Sequence, residues 1–217
     1  MSEPIEVQIW SDVACPWCYV GKRRFEAALS RFEVRDRVHV TYRSFQLDPG
    51  TPANHLLTGT YVQRLARKYG VPESRAQGMV DQMQTLASSE GIPMDFTRIQ
   101  TANTFDAHRL LHLARKEQLQ QPLKEALFKA HFCEGKAVDS ADVLADVAQS
   151  VGMDRDSVVA ALSTDAFATD VRADIAEASR LAIHGVPFFV IGRYGVSGAQ
   201  REDLLLEVLE KASTVEG

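Results

Sequence analysis

The chain has 217 residues, of which 45% are hydrophobic and 24% charged, so it is long enough for one large domain or two small ones. Its net charge of −5 and its lack of a basic cluster argue against nucleic acid as a partner, and no apolar stretch approaches the roughly 20 residues that span a membrane. The N-terminus lacks the apolar core of a secretory signal and three cysteines cannot all pair within one chain, so we expect a cytoplasmic protein without a disulfide framework.

The first 45 residues predict a βαβ unit. Residues 5–10 alternate apolar and polar side chains, as a half-buried strand does. Residues 15–32 have apolar side chains at helical spacing, and residues 38–45 are β-branched, aromatic and alternating. A strand, a helix and a second strand within so short a segment indicate a βαβ unit, most simply with parallel strands.

The middle of the chain, from about residue 55 to residue 183, contains no convincing strand. Glycines and prolines divide it into segments with helical patterns. The predicted helices cover residues 55–69, 72–89, 104–118, 122–134, 141–150, 155–162 and 165–183. Strand character returns at residues 187–191, and after the turn at 192–195 the extended run resumes, which indicates a hairpin. A final helix is predicted at residues 200–211.

The order of these elements predicts an α/β fold with a helical insertion. A βαβ unit at the front and a ββα unit at the back can share one four-stranded sheet only if the helical block is inserted between them. We therefore predict one discontinuous domain from residues 1–50 and 184–217, and a helical insertion domain at residues 51–183.

The segment Cys15-Pro16-Trp17-Cys18 carries the strongest chemical signal. It follows a predicted strand and begins a predicted helix, where the helix N-terminus favours an anion, so we expect a lowered pKa for the Cys15 thiol. Pro16 suits an early helical position, and Trp17 offers a flat face for apolar substrate surface. Cys18, one turn further on, should be more buried and should resolve the mixed disulfide formed by Cys15.

Other chemical sites have weaker support. A zinc site needs about four ligands, and no second close cysteine pair is present, so we predict no metal. His108 and His112 are four residues apart but lack the glutamate of the zinc-protease motif, and packing or exposure explains them better. A buried apolar role is the default for Cys133. The cations Arg64, Arg67 and Lys68 are predicted to lie on a solvated helix face.

The chain resembles the DsbA-type thiol-disulfide oxidoreductases of the thioredoxin-like superfamily, and in particular their FrnE-like branch. The resemblance rests on four segments that span nearly the whole chain in family order: residues 11–21, 103–110, 185–190 and 196–200. It implies a thioredoxin-like fold in which Pro187 is a cis-proline facing the cysteines. It also implies that Val186 presents its backbone to an extended substrate peptide.

Two positions depart from better-known members of that family. The residues between the cysteines are Pro-Trp, where the strongly oxidising members have Pro-His, so an extreme oxidising potential is not expected. Ile9 stands where relatives have a buried acid that accepts a proton. Asp12 is nearer to the cysteines, but we interpret it as a carboxylate that caps the loop.

The leading hypothesis is a disulfide oxidoreductase that uses Cys15 and Cys18 on protein or small-molecule thiols and disulfides. It needs no metal or organic cofactor, and glutathione is a candidate redox partner. The alternative is a glutathione-dependent isomerase or transferase similar to the 2-hydroxychromene-2-carboxylate isomerases and kappa-class transferases, although those typically have serine at the position of Cys15. A non-catalytic chaperone or zinc-bound module is a third hypothesis. Analogy with the kappa class suggests a homodimer on the helical surface.

Overall fold

A four-stranded mixed sheet lies at the centre of the structure, a computed structural model that describes residues 4–52 and 59–214. The strands are β1 (Ile5–Ser11), β2 (Val38–Ser44), β3 (Phe188–Ile191) and β4 (Tyr194–Ser197), in the spatial order β2-β1-β3-β4. β1 runs parallel to β2 and antiparallel to β3, and β3 runs antiparallel to β4. The predicted βαβ unit and the late hairpin are therefore confirmed.

Nine α-helices occur in the described residues, and seven of them stand between β2 and β3. They are α1 (Pro16–Arg31), α2 (Tyr61–Tyr69), α3 (Glu73–Ser89), α4 (Phe105–Lys116), α5 (Gln120–Phe132), α6 (Ala141–Gln149), α7 (Arg155–Leu162), α8 (Ala168–Arg180) and α9 (Glu202–Thr214). A short 3₁₀ turn that the sequence did not predict spans Arg35–Arg37. Residues 55–58 of the first predicted insertion helix lie outside the described residues.

The alternation of β1 buries one row of side chains under two helices. Ile5, Val7 and Ile9 are all buried, and they pack with Phe25 of α1 and Leu205 of α9 in one apolar cluster. The α1 and α9 helices therefore cover the same face of the sheet. Trp10 packs in a separate cluster with Ala178 of α8, and its indole N–H donates to the carbonyl of Asp174 at 3.0 Å.

The inserted helices build a core of their own. Leu110 and Leu111 of α4, Leu127 of α5 and Leu144 of α6 are buried in one apolar cluster. A second cluster joins α3 and α5 to α1, so the insertion also packs directly behind the two cysteines. The predicted domain boundaries stay a prediction. Within the described ranges, no helix is long and apolar enough to cross a membrane.

Side chains from two helices cover the edge of the sheet formed by β2. The amide of Gln120, at the start of α5, accepts from the backbone N–H of Tyr42 and donates to its carbonyl, both at 2.9 Å. Further along β2, the carboxylate of Asp174 accepts from the N–H of Ser44 at 2.9 Å. The helices thus satisfy backbone groups of β2 that a neighbouring strand would otherwise bind.

Candidate active site

Cys15 lies at the junction between β1 and α1, where it is the N-cap residue of the helix. Pro16 occupies the first helical turn, where its missing N–H leaves no bond unmade. Cys15 and Cys18 are free thiols in the structure, and both are buried, with 3% and 2% of their surface exposed. Cys18, predicted to be the more buried of the two, is so only marginally.

The Val186–Pro187 segment faces Cys15 from the opposite side of the site. The Cys15 thiol donates to the carbonyl of Val186 at 3.5 Å, and the peptide bond between Val186 and Pro187 is cis. The carbonyl of Pro187 accepts from the N–H of Gly198 at 2.8 Å, which ties this segment to the end of β4.

Gly21 allows α1 to approach Pro187. A Cβ atom built on Gly21 would lie 2.8 Å from Cγ of Pro187 and 3.4 Å from Cζ of Phe189. The first distance is far shorter than an ordinary carbon–carbon contact of about 3.5–4.0 Å. A residue without a side chain is therefore needed here, although the centre of a helix otherwise disfavours glycine.

A cavity of about 1120 Å³ opens beside Cys15. Trp17, with 49% of its surface exposed, stands at this cavity together with Pro16 and Val186. Much of the remaining wall is apolar and comes from α2, α3 and the segment between α3 and α4: Leu65, Met79, Val80, Met83, Leu86, Phe96 and Ile99. The structure thus gathers Cys15, Pro16, Trp17 and Val186 around one cavity.

The cations of α2 also lie at this cavity; Arg67 and Lys68 are exposed as predicted, whereas Arg64 is half-buried. Arg64, Arg67 and Lys68 all line it. Arg64 donates to the carbonyls of Gly59 and Ile99, and Lys68 is paired with Asp48. The sequence could not reveal this, because the cavity forms only when α2 packs across from Trp17.

The predicted lowering of the Cys15 pKa is contradicted. Burial raises the pKa of the Cys15 thiol, and the neighbouring Cys18 thiol and the charge of Asp12 act in the same direction. The backbone N–H of Cys18 favours the thiolate, but it does not outweigh the loss of water. The helix N-terminus favours the thiolate, but the packed insertion buries the sulfur so deeply that the loss of water outweighs it.

Asp12 caps the loop before the cysteines, as predicted. Its carboxylate accepts from the N–H groups of Ala14 at 3.3 Å and Leu47 at 2.8 Å, and it lies 3.4 Å from Nε2 of His108. Burial alone would raise the pKa of Asp12, but His108 and the Leu47 N–H lower it overall. Asp12 is therefore held as a charged loop anchor close to the thiols.

The two histidines of α4 have separate partners. His108 faces Asp12, whereas Nε2 of His112 contacts Asp174 at 3.0 Å and Ser44 at 3.2 Å. Across residues 4–52 and 59–214, no group of three metal-binding side chains comes together. Cys133 ends α5 and is half-buried against the apolar cluster that contains the site cysteines.

His131 is a cavity residue that the sequence did not single out for this role. Only 2% of its surface is exposed, it lines the cavity beside Cys15, and its Nδ1 atom has no hydrogen-bond partner. Burial lowers the pKa of His131 to about 4, so the ring is neutral at physiological pH. Its position near the C-terminal end of a buried helix gave no sequence signal of a site.

Comparisons with known proteins agree with this architecture. Residues 6–210 match the model of the DSBA-like thioredoxin domain. A crystal structure described as a probable DsbA oxidoreductase from Streptomyces coelicolor is 40% identical and superposes with a TM-score of 0.92, covering 98% of this chain and 92% of that one.

Two more distant structures share the fold. One is a 2-hydroxychromene-2-carboxylate isomerase, with 18% identity, a TM-score of 0.69 and 95% of each chain covered. The other is the cytosolic disulfide reductase DsbM from Pseudomonas aeruginosa with glutathione, with 16% identity, a TM-score of 0.59, and 96% of this chain and 95% of that one covered. The predicted thioredoxin-like fold and family are confirmed, and this chain belongs to the DSBA-like thioredoxin domain family.

Proposed function

We propose that this protein is a thiol-disulfide oxidoreductase that works through Cys15 and Cys18. The observation that carries the proposal is the position of Cys15: its sulfur stands at the N-cap of α1, donates to Val186 and borders a cavity large enough for a peptide segment. Family membership supports the general class of activity. The spacing of the two thiols supports the disulfide chemistry.

In the reducing direction, the Cys15 thiolate attacks one sulfur of a substrate disulfide. A bond forms between Cys15 and that sulfur, and the other substrate sulfur leaves with the electron pair and takes up a proton. The Cys18 thiolate then attacks the Cys15 sulfur, which closes the Cys15–Cys18 disulfide and releases the second substrate thiol. Two electrons have passed from the protein to the substrate, and the reverse sequence oxidises a dithiol.

The substrate is proposed to lie along Trp17, Val186 and Pro187. The Val186 carbonyl, which accepts from Cys15 in the free protein, is then available to the backbone of an extended peptide. The apolar cavity wall favours an apolar side chain next to the substrate cysteine, and the exposed ring of Trp17 gives that side chain a flat contact.

The reaction needs no metal or organic cofactor, because two thiols carry both electrons. Glutathione is proposed as the redox partner, and the shared fold of DsbM with glutathione supports this choice. We propose a cytoplasmic location, where the reducing glutathione pool favours a reductase or isomerase role. The likeness to DsbM, a cytosolic reductase, is consistent with that direction.

The test is a redox titration of the wild type, Cys15→Ser and Cys18→Ser against glutathione, with Cys133→Ser as the matched control. The wild type and the control should show one two-electron transition, and both active-site variants should lose it. Cys18→Ser should accumulate a stable mixed disulfide at Cys15. A wild type without a titratable pair would refute the proposal. Glutathione-dependent isomerase activity that survives Cys18→Ser would favour the alternative class.

A further inference from the structure

Lys124 of α5 is an unusual residue in this core. Its side chain is completely buried, with 0% exposed, and its Nζ atom has no hydrogen-bond partner. Two other lysines, of α1 and α5, have either carboxylate partners or solvent around the amine. Lys22 is also buried but pairs with Glu26 and Glu125, and Lys129 on the same helix is exposed.

Burying this amine opposes folding. Loss of water lowers the pKa of Lys124 to about 8, because an unpaired ammonium is poorly solvated in a protein interior. The rings of Phe128 and Tyr42, with centres 4.7 Å and 5.8 Å from Nζ, replace only part of that solvation. Burying a hydrophobic residue at this position would cost less free energy than burying the lysine, so packing alone does not explain a lysine here.

The surroundings of Lys124 connect it to the active-site thiols. Phe128, one helical turn further along α5, stacks on Tyr19 with ring centres 4.9 Å apart, and Tyr19 directly follows Cys18. Phe128 and both cysteines belong to the same buried cluster. Burial lowers the pKa of Lys124, whereas the negative charges of Cys18, Asp12 and Cys15, in that order, raise it.

The other charged groups that act on this position or on the Tyr42 ring beside it come from α1, α4 and α5 itself. They are Lys22 of α1, which opposes the charge of Lys124; His108 of α4, whose protonation Lys124 opposes; and Glu26 and Glu125, which act on Tyr42 between them. Lys22 is already neutralised by those two glutamates. Of these two buried lysines, Lys124 is therefore the one whose charge is not offset by a paired carboxylate.

We propose that the ammonium group of Lys124 stabilises the thiolate of Cys18 when the mixed disulfide is resolved. The inference rests on the proposed function and makes Lys124 a residue that acts through Cys18. In this step the Cys18 proton leaves to water and the Cys18 sulfur bonds to the Cys15 sulfur. The bond from Cys15 to the substrate sulfur breaks, and that sulfur departs with the electron pair and takes up a proton.

Ellman's reagent separates the two steps in a single turnover. Attack by Cys15 releases one coloured thionitrobenzoate, and attack by Cys18 on the resulting mixed disulfide releases a second. Because Cys133 is a third free thiol that can also react, we use the reduced Cys133→Ser protein as the parent and compare it with the same protein carrying Lys124→Met or, as a matched control, Lys129→Met, by stopped-flow absorbance between pH 6 and pH 10. Lys124→Met should slow the second release about tenfold near neutral pH and move its pH profile upward. The difference should shrink at high pH, where Lys124 is neutral.

A stability measurement separates this role from a structural one. Lys124→Met should raise the melting temperature by about 2–4 °C, because it removes an unpaired buried charge. Lys124→Gln serves as a second neutral variant if the first fails to fold. An unchanged second release with an unchanged pH profile would overturn the role of Lys124. A Cys133→Ser parent that releases only one thionitrobenzoate would instead refute the proposed function.

Discussion

Replacing Gly21 by alanine tests how closely α1 packs on the Pro187 segment. The new Cβ would lie 2.8 Å from Cγ of Pro187, so the two groups must separate by roughly 0.7 Å or more to reach an ordinary contact. Such overpacking costs about 1–3 kcal/mol, whereas alanine gains about 0.5–1 kcal/mol over glycine inside a helix. The net effect should be a loss of about 0–2.5 kcal/mol.

Gly78 of α3 offers a matched control, because a Cβ there would meet no atom within 4 Å. Gly78→Ala should therefore show the helix gain alone. The melting temperatures of the two variants should differ by about 2–12 °C in favour of Gly78→Ala, which corresponds to the overpacking cost. Gly21→Ala should also slow mixed-disulfide formation at Cys15, because Pro187 and Val186 move. If the two variants prove equally stable, the contact between Gly21 and Pro187 is not as described.

Three further predictions concern single side chains. Trp17→Ala should lower kcat/KM about tenfold for peptides whose disulfide cysteine is flanked by apolar residues. The melting temperature should not change, since the ring is half exposed. An equal loss of kcat/KM for peptides with polar flanking residues would contradict this role. The pKa of His131 is about 4 in the folded state and about 6.5 in the unfolded state. The buried neutral ring therefore contributes its full stability above pH 6.5, and about 3 kcal/mol of the free energy of unfolding is lost as the pH falls to 4. His131→Gln should remove that part of the acid sensitivity in denaturant titrations, and an unchanged pH dependence would refute the assignment. Asp174→Asn should lower the free energy of unfolding by about 2–3 kcal/mol at pH 7, because the charged acceptor for the Ser44 N–H and for His112 is lost. Burial alone would raise the pKa of Asp174, but these contacts lower it overall. The difference between variant and wild type should therefore disappear at low pH, where the wild-type carboxylate is also protonated.

Local signals explain why most of the fold was predictable. Residues 155–162 match α7 at both ends, because Asp154 accepts from the N–H of Ser157 and fixes the start of that helix. β1 ends at Ser11 and α1 begins at Pro16, each one residue later than predicted. α5 begins two residues earlier than predicted, because Pro122 is accommodated within the first turn, where its missing N–H is harmless.

The site depends on contacts between distant parts of the chain, and these were not predictable. Helices more than 60 residues away bury Cys15 and raise its pKa, and the residues around the helix start carry no sign of this. Lys124 and His131 lie in an ordinary helical pattern, and nothing in their spacing shows that one loses all its solvent and the other faces a cavity. The role of Gln120 at the edge of β2 was hidden for the same reason.

The contact between Gln120 and Tyr42 has a consequence for biosynthesis. The two residues are 78 positions apart, and β3 is made still later, so β1 and β2 leave the ribosome with open edges on both sides. At about 5–20 residues per second, Gln120 follows Tyr42 by about 4–16 seconds. During that interval the nascent βαβ unit exposes strand edges that can pair with other chains. The arrival of α5 protects the β2 edge at Tyr42, whereas the edge of β1 stays open until β3 is made.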